Sequence, residues 1–429
     1  MASIPPESSP AASGAFWRSP HFVLICAVGI ILFAYGGRQS MGMFLRPVTD
    51  GLGFLTANPN GVGMVPDYRP MSFASGLQLL IYGCAAPLMG MIADRWGPIR
   101  VLVTSGLIYA GGLLLMSTST TEFGLVLNVG FLMGIGSAGI ALPMLLSIVG
   151  RVAPEERRTF WLAVVVSGAT AGQMLIVPLS HYMIASEGWV FAAVVLGVMS
   201  LMVAPLSFAI RHAASDTLNK KDAQSLGQAI REAGGHSGFW LLLTAFFVCG
   251  FQVQFINNHL ENYLNGTAVG GAMAATAIAL IGLFNMIGTQ TAGALGGRYR
   301  KKYLLANLYM ARSLVFLAFF MIPVSKVSVV VFACSVGLLW LATVPLTSGI
   351  VAQVFGPRYL ATLYGAVFLS HQVGSFASVW LGGIIKTQTG SYDYAWWMII
   401  GAGFVAALLH VPINDRPVAR LAAEQRLGA

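Results

Sequence analysis

Apolar runs of twenty or more residues recur along almost the whole chain, and the connections between them are short. A hydrocarbon core about 30 Å thick is crossed by roughly 20 helical residues rising about 1.5 Å each. By that length the sequence divides into twelve candidate spans, at residues 20–45, 72–93, 100–119, 122–150, 159–185, 188–210, 238–264, 270–295, 303–323, 327–352, 359–385 and 393–412. Unpaired backbone groups are not tolerated in lipid, so runs of this kind fold as helices. The gap between the sixth and seventh runs is the only long polar connection, and it carries Arg211, Lys220, Lys221 and Arg231. The expected order is a cytoplasmic tail (1–19), a six-helix bundle (20–210), a cytoplasmic central loop (211–237), a second six-helix bundle (238–412) and a cytoplasmic tail (413–429).

Composition excludes the main competing classes. Of 429 residues 56% are hydrophobic and 9% charged, whereas a soluble domain carries about 25% charged residues. So few charges cannot cover two or three soluble domains, and so apolar a chain is not disordered. The 50 glycines follow no collagen period and fall inside apolar runs, where they allow close helix packing. Cys26, Cys84, Cys249 and Cys334 lie in apolar stretches without metal-ligand spacing and read as packing residues. The Pro/Ser-rich first twenty residues contain Glu7 and lead into a run too long for a signal-peptide core.

A net charge of +9 suggests nucleic acid only if the cations form a patch. With the N-terminus inside and the spans alternating, eighteen of the 24 Lys and Arg residues fall on the cytoplasmic side. Arg46, Arg69, Lys326 and Lys386 fall outside, and Arg38 and Arg312 lie within spans. Topology therefore accounts for the basic charge, and no nucleic-acid partner is expected.

The two halves repeat weakly. Gly90-Met-Ile-Ala-Asp94-Arg95 is matched by Gly293-Ala-Leu-Gly-Gly297-Arg298, Pro143 by Pro345, and Arg158 by Arg358, at offsets of 203, 202 and 200. A parallel repeat of six-helix halves with a site between them implies alternating access. The fold class expected is thus an all-α membrane protein with twelve transmembrane helices in two pseudo-symmetric six-helix bundles.

Gly90-Met-Ile-Ala-Asp94-Arg95-Trp96-Gly97-Pro-Ile-Arg100 resembles the loop 2–3 signature of the major facilitator superfamily. Four further stretches resemble the bacterial monocarboxylate and oxalate/formate transporter grouping. They are Arg38-Gln-Ser-Met-Gly42-Met-Phe-Leu-Arg-Pro47, Gly282-Leu-Phe-Asn285-Met-Ile-Gly288 with Tyr309-Met-Ala-Arg312, and Ser370-His371-Gln372-Val-Gly374-Ser. The resemblance implies a secondary transporter, with Asp94, Arg95 and Arg298 as gating residues. The chain differs from the pattern at four places: an added Gly/Pro/Asn-rich segment from Phe54 to Pro70, no Arg on span eight, no Lys on span eleven, and Gly130 where many proton-coupled members carry Arg.

Ionisable groups at membrane depth are costly and mark functional sites. Arg38, with Tyr35 one turn earlier and Gln39 beside it, either grips a substrate carboxylate or snorkels to the interface. Arg312 reads as a structural buried charge bonded to helix carbonyls or to Asn285. His371 with Gln372 either handles a proton and a substrate or packs two helices, and the resemblance implies that span eleven lines the cavity. Gln254, Asn257, Asn258 and Glu261 recur at helical spacing on span seven. They form either a gate with His259 or Glu261 as proton carrier, or a solvated helix end, which for Glu261 is the favoured reading. Gly168-Ala-Thr-Ala-Gly172-Gln173 reads as a packing seam.

The expected function is secondary active transport of a small organic anion, a carboxylate, coupled to protons or to a counter-anion, across the cell inner membrane. The substrate-binding residues expected are Arg38, Tyr35, Gln39, Asn257, Asn285, His371 and Gln372, and the proton-coupling candidates are His371, His259 and Glu261. Efflux of amphipathic compounds is the alternative. The chain carries no P-loop, dinucleotide fingerprint or nucleophile elbow, and it is expected to be no enzyme, to need no cofactor or metal, and to work as a monomer in the lipid bilayer.

Overall fold

The computed structural model describes residues 19–58, 63–153, 158–211, 226–356 and 360–420. Within them, eleven helical segments are long and apolar enough to cross a membrane. The thirty-residue helix Leu360–Thr389 is a further long helix. In chain order the first half holds α1 (Pro20–Gln39), α2 (Met41–Gly51), α3 (Arg69–Trp96), α4 (Pro98–Met116), α5 (Glu122–Leu125), α6 (Met133–Gly139), α7 (Leu142–Val152), α8 (Arg158–Glu187), α9 (Trp189–Leu201) and α10 (Val203–Ala209). The short α11 (Leu226–Gly234) precedes α12 (Ser237–Asn265), α13 (Ala272–Gly296), α14 (Lys301–Met321), α15 (Lys326–Leu339), α16 (Thr343–Phe355), α17 (Leu360–Thr389) and α18 (Asp393–His410).

Local chemistry sets the breaks. Ser19 caps α1 by accepting from the Phe22 amide, with Pro20 in the first helical position. The first apolar run does not continue as one helix to residue 45. It breaks at Ser40, whose hydroxyl donates to the Gly36 carbonyl at 2.9 Å and accepts from Ser180. The fourth span is composite: α5, a π-helical stretch Val126–Leu132 that includes Gly130, then α6 and α7. The tenth span is likewise split, into α15 and α16. Pro143 and Pro345, the repeat pair, each lie in the first turn of the second segment, where a missing backbone N–H costs nothing.

The added segment from Phe54 to Pro70 is not wholly irregular. It contains the strands β1 (Leu55–Ala57) and β2 (Met64–Pro66), paired antiparallel with Leu55 opposite Pro66. We call this end of the molecule the hairpin side and the opposite end the termini side.

Buried side chains form two main clusters, one from Val23 to Ile210 and one from Ala233 to Ile413, the second joined by Met43 and Val177 of the first half. Inside the second cluster α12 and α17 cross at backbone contact. A Cβ on Gly250 would meet the His371 carbonyl at 1.9 Å, and one on Gly374 the Phe247 carbonyl at 2.0 Å.

The halves meet toward the hairpin side. There the Tyr68 amide donates to Thr387 Oγ1 at 3.1 Å, and Gln173 Nε2 donates to the Ile278 carbonyl at 3.2 Å. Nearer the middle, Gln372 Nε2 donates to the Leu79 carbonyl at 3.3 Å. Phe73 of α3 packs against Phe376 and Trp380 of α17. Toward the termini side, by contrast, α3 leaves Leu88, Met91 and Trp96 more than half exposed.

Candidate functional site

Arg38 stands in the last turn of α1, two residues before the break at Ser40. Its guanidinium lies between two tyrosine rings, 4.8 Å from the centre of Tyr35 and 4.6 Å from that of Tyr82 on α3. Each such contact contributes about 0.5–2 kcal/mol where water is excluded. Nε is buried with no hydrogen-bond partner, and among the described residues no carboxylate pairs with Arg38. Gln39 is buried beside it. The arrangement holds a planar, half-buried cation in place by its faces, so that its donor edge can meet a carboxylate in a two-point contact.

Aromatic contacts run from that cation across to the second half. The Tyr82 ring meets Phe368 of α17 edge-on at 5.9 Å, and Phe368 stacks on His371 at 5.7 Å with ring planes 6° apart. Phe246 of α12 closes the other side of the imidazole at 5.1 Å. His371 Nδ1 lies 2.8 Å from Gln372 Oε1, which can only accept, so Nδ1 carries the proton and Nε2 is left as the acceptor. Gln372 also makes the cross-half bond to Leu79, so it couples the imidazole orientation to the packing of α3 on α17.

The polar stripe on α12 faces protein. Asn257 donates to Gln254 at 3.0 Å and Gln254 to Asn258 at 3.2 Å. Glu261, expected at a solvated helix end, is only 6% exposed. The physical reason is α2, which continues beyond the break at Ser40 and lies over this part of α12 so closely that a Cβ on Gly42 would meet the Asn257 carbonyl at 1.9 Å. Asn265 donates to Glu261 Oε1, while Oε2 is buried without a partner. His259 is fully buried. Its Nε2 donates to the Val379 carbonyl at 2.9 Å, which leaves Nδ1 to accept from the Tyr392 hydroxyl at 3.0 Å. Both nitrogens are occupied within the second half.

Arg312 and Asn285 serve one place, the break in the tenth span. Arg312 Nη1 donates to the Trp340 carbonyl at 3.0 Å, and Asn285 Oδ1 accepts from the Leu341 amide at 3.0 Å. The two backbone groups freed between α15 and α16 are thus each satisfied by a buried side chain from a neighbouring helix. Arg312 bonds a carbonyl and not Asn285, and Asn285 is engaged away from Arg38. Cys249 Sγ approaches Arg312 Nη1 at 3.8 Å and Thr343 Oγ1 at 3.3 Å.

Gln173, assigned to a packing seam, also bridges the halves. Arg298 is exposed on the termini side. The side chains of Asp94 and Arg95, at the end of α3, lie outside the described residues.

Around the meeting point of the halves, the sequence singled out Arg38, Tyr35, Gln39, His371 and Gln372. It missed Tyr82, Phe246 and Phe368. Their types carried no distinguishing signal in a chain with 25 Phe and 13 Tyr.

On the hairpin side Asp67 accepts from Arg69 Nε at 2.8 Å and from Thr387 across the halves at 3.5 Å. Burial pushes the Asp67 carboxyl up, but the hydrogen bonds and charge of Arg69 outweigh it and hold the group below the usual carboxylate range.

Comparison with known proteins agrees with this architecture. The sequence profile of the Major Facilitator Superfamily matches residues 27–379. Monocarboxylate transporter 12 of Rattus norvegicus is 24% identical over 365 residues, covering 77% of this chain and 74% of its own. Monocarboxylate transporter 13 of Rattus norvegicus is 21% identical over 351 residues, covering 79% of this chain and 80% of its own. Among solved structures, a bacterial homologue of the human lysosomal transporter Spinster, in an inward-facing and occupied conformation, superposes with a TM-score of 0.71 at 15% identity, covering 95% of this chain and 97% of that one.

Proposed function

We propose, from the premise that the chain belongs to the Major Facilitator Superfamily and is a multi-pass membrane transporter rather than an enzyme, that it moves a small organic anion carrying a carboxylate. The observation that carries this reading is the Arg38 guanidinium, held between Tyr35 and Tyr82 with no carboxylate among the described residues paired to it. A half-buried cation at membrane depth with no counter-ion among the described residues is a site for an external one, and the planar fork suits a carboxylate. The aromatic faces around it favour a solute whose carboxylate is attached to an apolar body.

In this reading the bundles 20–210 and 238–412 rock about the seam where Tyr82 meets Phe368. Closure on the hairpin side involves the contacts of Tyr68, Asp67 and Thr387. The proposed orientation, supported by the excess of Lys and Arg on that side, has the termini side in the cytoplasm and the hairpin outside, and the proposed membrane is the cell inner membrane. Asp94, Arg95 and Arg298 act as gating residues on the cytoplasmic side. His371 is the proton carrier of choice, because it lies at the seam, stacked on Phe368 and beside the cross-half bond of Gln372, whereas both nitrogens of His259 are occupied within the second half. Symport then follows: an anion beside Arg38 and a proton on His371 enter a site shared by the two halves and leave together.

The reading is tested by a thermal-shift screen of the purified protein over a panel of monocarboxylates, dicarboxylates and neutral isosteres. Stabilisation by a monocarboxylate, absent for its amide and absent in Arg38→Ala, is the expected result. Equal stabilisation by acid and amide overturns it.

A further inference from the structure

Lys301 and Lys302 open α14 behind Arg300 at its N-cap, and the first turn contains no acidic residue. These cations stand at the positive end of the helix dipole, where negative charge is the stabilising choice. Asp415, on the segment after α18, offsets one of them. It accepts from Arg300 Nη2 at 2.6 Å, and that bond and charge hold the Asp415 carboxyl below its usual range. Lys301 Nζ donates to the neutral Gln353 Oε1 at 3.0 Å, and Lys302 Nζ to the carbonyls of Val411 and Ile413 while lying over the Tyr303 ring, so among the described residues neither is paired with a carboxylate. Arg298 and Arg416, both exposed, add two further cations nearby.

Arg298, Arg300, Lys301 and Arg416 line one shallow pocket of about 410 Å³, with Asp415 as the carboxylate on its wall. The pocket opens at the end of the spans, beside two aromatic side chains that face outward: Tyr299 is 62% exposed and Tyr303 45%. Aromatic rings of this kind sit at headgroup depth in a bilayer. Four cations against one carboxylate, in a concave site at that depth, leave an excess of positive charge facing the phosphate layer.

We propose that this pocket binds a phosphate group, presented by the headgroup of an anionic lipid. Guanidinium groups match phosphate oxygens in two-point contacts, and Lys301 adds a point charge. Topology alone explains why cations lie on this side, but it requires neither their convergence on one cavity nor the exposed tyrosines beside it. The site is separate from the seam that holds Arg38.

The test uses the full-length protein and native mass spectrometry with equimolar phosphatidylglycerol and phosphatidylcholine. Wild type is expected to retain phosphatidylglycerol preferentially. Arg298→Gln/Arg416→Gln is expected to lower that preference by about fivefold for each cation removed. Arg416→Gln alone, outside any helix, lowers it partway and serves if the double variant folds poorly. Arg100→Gln, which removes a termini-side cation elsewhere, leaves it unchanged. A parallel melting experiment with inorganic phosphate and no lipid separates the sources. No shift means the lipid headgroup is the ligand, and a shift seen in wild type but lost in the double variant means free phosphate also occupies the pocket. Wild-type lipid preference in Arg298→Gln/Arg416→Gln, or an equal loss in Arg100→Gln, overturns the proposal.

Discussion

The guanidinium of Arg38 lies 4.6 Å from the centre of the Tyr82 ring, and that same ring meets Phe368 of the other half edge-on at 5.9 Å. One tyrosine therefore both holds the cation and contacts the opposing bundle. Tyr82→Phe keeps the ring and is expected to bind substrate within about twofold of wild type. Tyr82→Leu removes the π face and is expected to weaken binding by roughly 5- to 30-fold. Titration of a stabilising carboxylate by thermal shift distinguishes the two variants.

A methyl group at Gly42 or Gly83 should unseat the hairpin-side closure. A Cβ on Gly42 would meet the Asn257 carbonyl at 1.9 Å, and one on Gly83 would meet Gln372 Cβ at 2.6 Å. Both contacts cross from one half to the other, so Gly42→Ala and Gly83→Ala are expected to shift the population toward a form open on the hairpin side. Spin-label distances between the hairpin-side ends of α3 and α17 should lengthen in both variants. Unchanged distances would show that the neighbours yield without parting the halves.

Arg312 and Asn285 should matter for stability through the break between α15 and α16. Asn285→Ala leaves the Leu341 amide without its partner, and Arg312→Leu does the same to the Trp340 carbonyl. Each loss is expected to cost about 1–3 kcal/mol, seen as a lowered melting temperature. Asn285→Asp still offers an acceptor to the amide and should be the milder change if the break is what Asn285 serves.

Arg38 and Arg312 mark what could be read from the sequence and what could not. Span length and charge asymmetry are one-dimensional properties, so the helical membrane fold was legible from apolar runs and the placement of Lys and Arg. Arg38 and Arg312 look alike by the same measure, each a lone cation in an apolar run. Only three-dimensional packing separates them: Arg38 faces the seam between the halves, while Arg312 is fully buried against the Trp340 carbonyl within one half. Glu261 shows the converse. Its place near a helix end suggested solvent, because nothing in the sequence announces that α2 lies over that end of α12. The strands at Leu55–Ala57 and Met64–Pro66 were hidden for a simpler reason, since three-residue strands are too short to show an alternation.

Asp67 gives a pH dependence outside the membrane. Burial raises its carboxyl and the Arg69 hydrogen bonds lower it further, with a net depression. A depressed carboxylate contributes stability above its unfolded value of about 4, and that contribution is lost as pH falls through the lower folded value. The melting-temperature gap between wild type and Asp67→Asn is therefore expected to be constant from pH 8 to 5 and to close below about pH 4. The gap should be small, within about 1 kcal/mol, because Arg69 is 45% exposed.

The account rests on an anion held by Arg38, and uptake into proteoliposomes tests it most directly. Protein is reconstituted with an acid-outside pH gradient, and entry of the monocarboxylate that stabilises it best is followed for wild type, Arg38→Lys and Arg38→Ala. A charge-assisted bond to a carboxylate is worth about 1.5–3 kcal/mol, so Arg38→Ala is expected to lose roughly 10- to 100-fold in uptake rate at low substrate. Arg38→Lys is expected to fall between that and wild type, because it keeps the charge and loses the planar fork. Gradient-driven uptake by Arg38→Ala at the wild-type rate would contradict the account.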